Sequence, residues 1–355
     1  MTKKKYFRIK VLSIGVILIS IFIIILLAVG KLNLTGQITD SPQLSTVDRN
    51  NFLSTGLKNL VSYDVNDQDY STPDKFTQEN TGLNYGKTVT IQYYSTTTGS
   101  NRQADVILPY NYDTEKTYPV LYLLHGMGGN HKMWGDLGAK YIVQNLFYEN
   151  KAPEMIIVCP NVFTVKSGSE SGLSFPEITI GYDAFVDDLM FDLMPYLNQN
   201  FSTKTGRDNT AIAGLSLGGR ESLYIGFKYP ESFGYIGAFS AVGNVVKNTG
   251  LSTYIPQLLD SFTINPQVGK FRTILVNVGT SDDLCRESCI DYDIELTKTK
   301  IDHIFFEMPG GHEGSVWQVG LYNFARRIFW WLVKSGSPEF ASLISYIKTK
   351  KYFAF

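Results

Sequence analysis

From residue 86 onward the chain is a series of short apolar runs, and their spacing limits the fold more than any other feature. Thr88–Tyr94 alternates apolar and polar residues as a half-buried strand does, and Arg102–Leu108 reads as its partner, stopped by Pro109. Runs of buried character follow at Val120–Leu124, Met155–Cys159, Thr210–Ala213, Ile236–Ser240, Thr273–Val278 and His303–Met308. Between most of them lie amphipathic helical patterns, among them Tyr182–Asn200, Arg220–Tyr229 (closed by Pro230) and Asp291–Lys300. A last helix is expected over Trp317–Lys334, with Trp330 and Trp331 as packing residues. Strands without polar alternation are buried on both faces. Alternating with helices, they predict an α/β fold: a mostly parallel sheet covered on both sides, begun by two antiparallel strands.

One junction in this series carries chemistry. Residues 211–219 read Ala-Ile-Ala-Gly-Leu-Ser-Leu-Gly-Gly, which fits G-x-S-x-G with Gly214 and Gly218 about Ser216. A nucleophile on a sharp strand-to-helix turn needs small neighbours, because its backbone is strained and adjacent elements crowd it. A serine hydroxyl is a poor nucleophile until an imidazole takes its proton and an acid orients that imidazole. The chain has only 4 histidines. In a sheet of this kind the partners follow the serine in the order acid, then histidine, which removes His125 and His131. His303 opens a strand and His312 follows the end of the same strand. Chemistry in open parallel sheets gathers at the carboxyl ends, so His312 is the expected base and His303 a packing or surface residue.

The same rule places the acid after Thr273–Val278, in Gly279-Thr280-Ser281-Asp282-Asp283. Asp282 is preferred; the other aspartate is read as a cap for the following helix. An oxyanion hole needs two backbone N–H donors aimed at the developing charge. Leu217, directly after the nucleophile, supplies one. The glycine-rich loop His125-Gly126-Met127-Gly128-Gly129 supplies the other at Met127, with His125 propping the loop.

These motifs together resemble the esterase D-like α/β-hydrolases, and within them the carbohydrate esterases that include bacterial feruloyl esterase and acetylxylan esterase domains. The resemblance runs from about Leu83 to Val333 and rests on Tyr122-Leu-Leu-His-Gly-Met-Gly-Gly, Ala213-Gly-Leu-Ser-Leu-Gly-Gly, Gly279-Thr-Ser-Asp and Gly310-Gly-His312 followed by Trp317. It implies an α/β-hydrolase fold and supports Asp282 as the acid. It also implies that Trp134, Trp317 and the Gly181-Tyr182 turn line the cleft. No metal or organic cofactor is implied. The chain departs from the pattern at Cys285-Arg-Glu-Ser-Cys289, directly after the acid, and in its N-terminus.

Residues 1–10 carry Lys3, Lys4, Lys5, Arg8 and Lys10 and no acid, and Val11–Val29 is apolar for roughly 19 residues, near the length of a membrane span. Such a segment predicts export, as an uncleaved anchor in preference to a cleaved signal, and an extracytoplasmic body. Residues 1–30 are therefore read as signal peptide or anchor and 31–84 as a polar lead-in, with the stretch Phe52–Val61 docking as a short helix. The esterase domain is expected over 85–340 and a tail over 341–355. A net charge of −1 gives no electrostatic case for nucleic acid. The 22 Tyr and 22 Phe suit an aryl- or sugar-binding cleft, though on count alone a large core and a tyrosine-rich surface account for them better. With 3 cysteines there is no disulfide framework; Cys159 reads as an inert buried thiol.

The expected activity is that of a serine esterase acting on feruloyl or acetyl esters of polysaccharide or oligosaccharide. The same triad could instead pass the acyl group to a sugar hydroxyl. A binding protein on a hydrolase scaffold is the reading an intact triad disfavours. Oligomeric state is not legible.

Overall fold

The computed structural model describes residue 70, residues 72–250 and residues 254–329. The expected anchor, the Phe52–Val61 helix, Trp330, Trp331 and the tail lie outside the described residues. Within them no helix is long and apolar enough to cross a membrane.

The strands are β1 (Thr88–Ser95), β2 (Ser100–Ile107), β3 (Val120–Leu124), β4 (Ile156–Pro160), β5 (Thr210–Leu215), β6 (Tyr235–Phe239), β7 (Thr273–Gly279) and β8 (Ile304–Met308). They form one sheet in the order β1-β2-β4-β3-β5-β6-β7-β8. β1 pairs antiparallel with β2, and β2 with β4; all later pairings are parallel. The sheet is thus the mostly parallel one expected. The main helices are α1 (Met133–Asp136), α2 (Ala139–Tyr148), α3 (Phe175–Asp183), α4 (Met194–Asn200), α5 (Leu217–Lys228), α6 (Arg286–Lys298) and α7 (Gly314–Ala325).

Both faces of the sheet are covered. Along β3, Val120, Tyr122 and Leu124 enter one buried cluster while Leu121 and Leu123 enter the other. A strand buried on both sides cannot afford polar alternation, which is why β3 to β7 read as unbroken apolar runs. The chain leaves β3 toward β4 on one side and returns to β5 on the other, so strand order reverses at β3. A crevice at the carboxyl ends of β3 and β5 is the expected ligand position in such a sheet.

The helix expected over Tyr182–Asn200 forms, but with a turn at Ala184 and a widened π-helical stretch in its middle. α3 begins earlier and ends at Asp183, and π-helical residues Asp188–Leu193 precede α4. Pro195 has no N–H for the carbonyl one turn back. The widened turn carries two acids that the β1–β2 hairpin holds: Asp188 accepts from Tyr93 Oη at 2.6 Å and Arg102 Nε at 3.1 Å, and Asp192 from Thr96 Oγ1 at 2.7 Å. Apolar periodicity carries no trace of such a widening. The lead-in also joins the domain earlier than expected. Phe76 is buried, its ring 4.9 Å from that of Tyr322, and Asn145 Nδ2 donates to the carbonyls of Lys75 and Gln78.

Candidate active site

Ser216 sits between β5 and α5 with φ 56° and ψ −121°, a left-handed conformation that costs a non-glycine residue roughly 1–3 kcal/mol. The end of β6 holds it there. Ser216 N–H donates to Phe239 O at 2.9 Å, and Ser216 O accepts from Val242 N–H at 3.2 Å. The flanking glycines serve close approach. A Cβ on Gly218 would lie 2.4 Å from Leu124 O, and one on Gly214 2.3 Å from Gly218 O. The motif thus presses β3, β5 and α5 together at one point.

Asp282 follows β7 and is 1% exposed, whereas its neighbour Asp283 is exposed. Its Oδ1 accepts from the backbone of Leu284 at 3.1 Å and Cys285 at 2.9 Å, and its Oδ2 lies 3.0 Å from His312 Nδ1. Burial alone would raise this carboxyl, but the hydrogen bond and charge of His312, with the Cys285 amide, hold it below its ordinary value. An ionised Asp282 accepts a hydrogen bond from Nδ1–H, leaving the lone pair of the imidazole on Nε2. The loops that carry the two side chains are tied through the main chain: Thr280 N–H donates to Met308 O at 2.8 Å and Ser281 N–H to Gly310 O at 2.9 Å. Trp317 packs edge-on against His312 with ring centroids 5.2 Å apart.

The loop after β3 forms the other wall. His125 is buried; its Nδ1 lies 2.8 Å from Gly126 O, and its Nε2 accepts from Val162 N–H at 2.8 Å. Burial pushes this imidazole down to about 4, so it is a neutral strut. Neither the Met127 nor the Leu217 amide is engaged in a hydrogen bond among the described residues. His303 lies at the amino end of β8, where Nε2 is 2.8 Å from Asp293 Oδ1, and His131 is 4.0 Å from Asp105.

Three of the residues expected to line the cleft are placed otherwise. Trp134 is 1% exposed and donates its indole N–H to Leu124 O at 3.0 Å, beneath the glycine loop. Tyr182 is fully buried, with its hydroxyl 2.7 Å from Gly126 O. Gly181 is buried as well, and a Cβ there would meet the Phe163 ring at 2.3 Å. Trp134 and Tyr182 brace the walls from behind, each ring offering one polar atom to a buried carbonyl, and Gly181 lets the Phe163 ring pack closely. No sequence pattern separates such a brace from a cleft wall.

Cys159, Cys285 and Cys289 are free and buried. Cys289 Sγ accepts from Ala241 N–H at 3.2 Å. Asp282, Cys285 and His312 each offer a metal-ligand atom within 4.8 Å of the others. Burial and the neighbouring Asp282 push the Cys285 thiol well up, which keeps its proton on and makes it a poor ligand at neutral pH.

The Esterase family model matches residues 95–328. The chain belongs to the Esterase family. Within that family its similarity is to esterases of the feruloyl type. It is 31% identical over 258 residues to an endo-1,4-beta-xylanase/feruloyl esterase of Xylanibacter ruminicola, covering 70% of this chain and 32% of that protein. An acetyl esterase of Caldicellulosiruptor saccharolyticus is 25% identical over 277 residues, 69% of this chain and 97% of that one. The esterase therefore spans about a third of the first of these relatives and nearly all of the second. Among solved structures it superposes on a ferulic acid esterase of Anaeromyces mucronatus with TM-score 0.68 and 36% identity, over 73% of this chain and 97% of that one. The α/β-hydrolase fold expected from the sequence is the fold of these neighbours.

Proposed function

We propose that this protein is an extracytoplasmic serine carboxylesterase that removes feruloyl or acetyl groups from polysaccharide or oligosaccharide. One observation carries the reading: a buried, ionised Asp282 holds His312 at 3.0 Å, at the same sheet edge as the strained Ser216. In this reading Ser216 Oγ attacks the ester carbonyl carbon while His312 Nε2 takes its proton. The Met127 and Leu217 amides receive the oxyanion, each worth roughly 3–4 kcal/mol to the transition state. The tetrahedral adduct collapses, the alcohol leaves with the proton from His312, and an acyl-enzyme remains. Water, deprotonated by His312, repeats the sequence and releases the acid. Trp317 packs against the imidazole and limits its rotation.

The substrate class is supported by a relative named a xylanase/feruloyl esterase and by the Anaeromyces mucronatus enzyme, also solved in complex with ferulic acid. Residues 1–30 support export, as an anchor or a cleaved signal. The test is turnover of methyl ferulate, acetylated xylan and p-nitrophenyl acetate, with and without a sugar acceptor, by wild type and Ser216→Ala. Wild type is expected to hydrolyse at least one ester, and the variant to lose about 10⁵-fold or more in kcat. Full activity in Ser216→Ala overturns the nucleophile, and acyl-sugar product in place of free acid overturns hydrolysis.

A further inference from the structure

The loop between β4 and α3 sends one acidic side chain back across the site. Glu170 Oε2 accepts from Gly128 N–H at 2.9 Å, and its Oε1 is 3.2 Å from the same nitrogen. Oε1 also lies 2.9 Å from Tyr182 Oη. That phenol oxygen is in turn 2.7 Å from Gly126 O, which the His125 ring reaches from another side at 2.8 Å. The carboxyl group and the phenol therefore clasp the loop on both sides of Met127.

The hydrogens along this chain can be counted. His125 Nε2 accepts from Val162, so the ring proton is on Nδ1 and points to Gly126 O. Tyr182 has one hydroxyl hydrogen, yet its oxygen stands at hydrogen-bond distance from two other oxygens. Neither a carbonyl nor a carboxylate can donate. Both contacts are filled only if a proton sits on Glu170 Oε1: Glu170 then donates to Tyr182, and Tyr182 donates to Gly126. With the carboxyl ionised, one of the two contacts becomes a meeting of lone pairs shielded in part from water.

We propose that Glu170 is a positioning residue that works in its protonated form, fixing the Gly126–Gly128 loop through Tyr182 so that the Met127 amide meets the oxyanion. The inference rests on the serine esterase reading above. A neutral acid is also what the location calls for, because a carboxylate there would set a negative charge beside the amide that must receive another. The surroundings agree. Burial raises the Glu170 carboxyl, outweighing the opposing influence of its contacts with Tyr182 and Gly128. The titratable groups facing the chain are Tyr182 itself, His125, and Glu221 of α5 beyond Tyr182. Burial keeps all three neutral: the phenol and the glutamate are raised and the imidazole is lowered.

Glutamine reproduces the protonated acid, with an N–H for Tyr182 and a carbonyl for Gly128, but cannot ionise. Methyl ferulate turnover should be measured from pH 5 to 9 for the full chain, Glu170→Gln, Glu170→Ala and Ser216→Ala. Glu170→Gln is expected to stay within about twofold of wild type at the acid end and to overtake it as pH rises and the wild-type carboxyl ionises. Glu170→Ala is expected to lose about 10²-fold in kcat with KM little changed. A Glu170→Gln to wild-type ratio that stays flat with pH overturns the proposal, as does a glutamine variant as slow as the alanine one. If Glu170→Ala fails to fold, the pH dependence of that ratio still decides. A Ser216→Ala variant that keeps its activity strikes the underlying reading instead, which separates the two failures.

Discussion

The two walls of the site are held by opposite kinds of chemistry. On the β7–β8 side, an ionised aspartate faces an imidazole, and the carboxyl is held below its usual range by that partner. On the β3 side, His125, Tyr182 and Glu170 converge on the glycine loop, and burial favours the neutral form of each. The difference follows from where charge develops during acyl transfer. The imidazole becomes cationic, so a fixed negative charge beside it helps. The oxyanion forms on the other wall, where a second negative charge would oppose it. A catalytic pocket thus needs a charged brace on one side and an uncharged one on the other, a few residues' width apart.

The sharpest way to break the comparison is at the charged wall. Asp282→Asn keeps the shape but lets the wrong imidazole tautomer form, and kcat is expected to fall about 10⁴-fold. Asp283→Asn, at an exposed neighbour, should leave kcat unchanged; the reverse pattern in steady-state kinetics would show the charge to be misplaced. At the neutral wall, His125→Leu deprives Gly126 O and Val162 N–H of a partner. It should cost about 10²-fold in kcat and destabilise by roughly 1–3 kcal/mol. Thermal melts beside kinetics distinguish a strut from an inert filler, for which only the melt would move.

The smallest effect lies behind that wall. Glu221 is fully buried with Arg220 Nε 3.6 Å from its Oε1, and burial and Asp183 raise its pKa well above the usual value despite Arg220. A raised folded-state pKa gives stability that is complete below the unfolded value and is lost as pH rises toward the folded one. Glu221→Gln should therefore raise Tm by a few degrees at pH 8 relative to wild type, and by less near pH 4. An equal shift at both pH values would show that Glu221 does not ionise on unfolding.

Most of the framework was legible because its signals are local. Unbroken apolar runs mark strands buried on both faces, and Gly214-Leu-Ser-Leu-Gly218 marks a junction where three elements touch. Strand ends pointed to His312 and to Asp282 or its neighbour, with Asp282 preferred and supported by the family resemblance, and the structure brings Asp282 and His312 to 3.0 Å. What escaped was set by tertiary contacts. Trp134, Gly181 and Tyr182 stand behind the walls, and nothing in their spacing tells a ring facing a cleft from one facing a carbonyl. Glu170 lies in a Ser- and Gly-rich loop with no periodicity, so its reach to Gly128 had no sequence signal. The π-helical turn before Pro195 answers to Asp188 and Asp192, acids held by a distant hairpin, and the apolar periodicity of Tyr182–Asn200 carries no sign of it.

The main-chain bonds joining the acid and histidine loops have a consequence for how such an enzyme changes over generations. Because Thr280 and Ser281 are laced to Met308 and Gly310 by backbone atoms, the separation of Asp282 and His312 is set by peptide groups. Side chains on the exposed residues around them, Asp283 and Leu284 included, can be exchanged without moving the pair. The fold thereby keeps its reaction centre invariant while leaving the adjoining loop open to drift, so new acyl groups can be tried without giving up the chemistry.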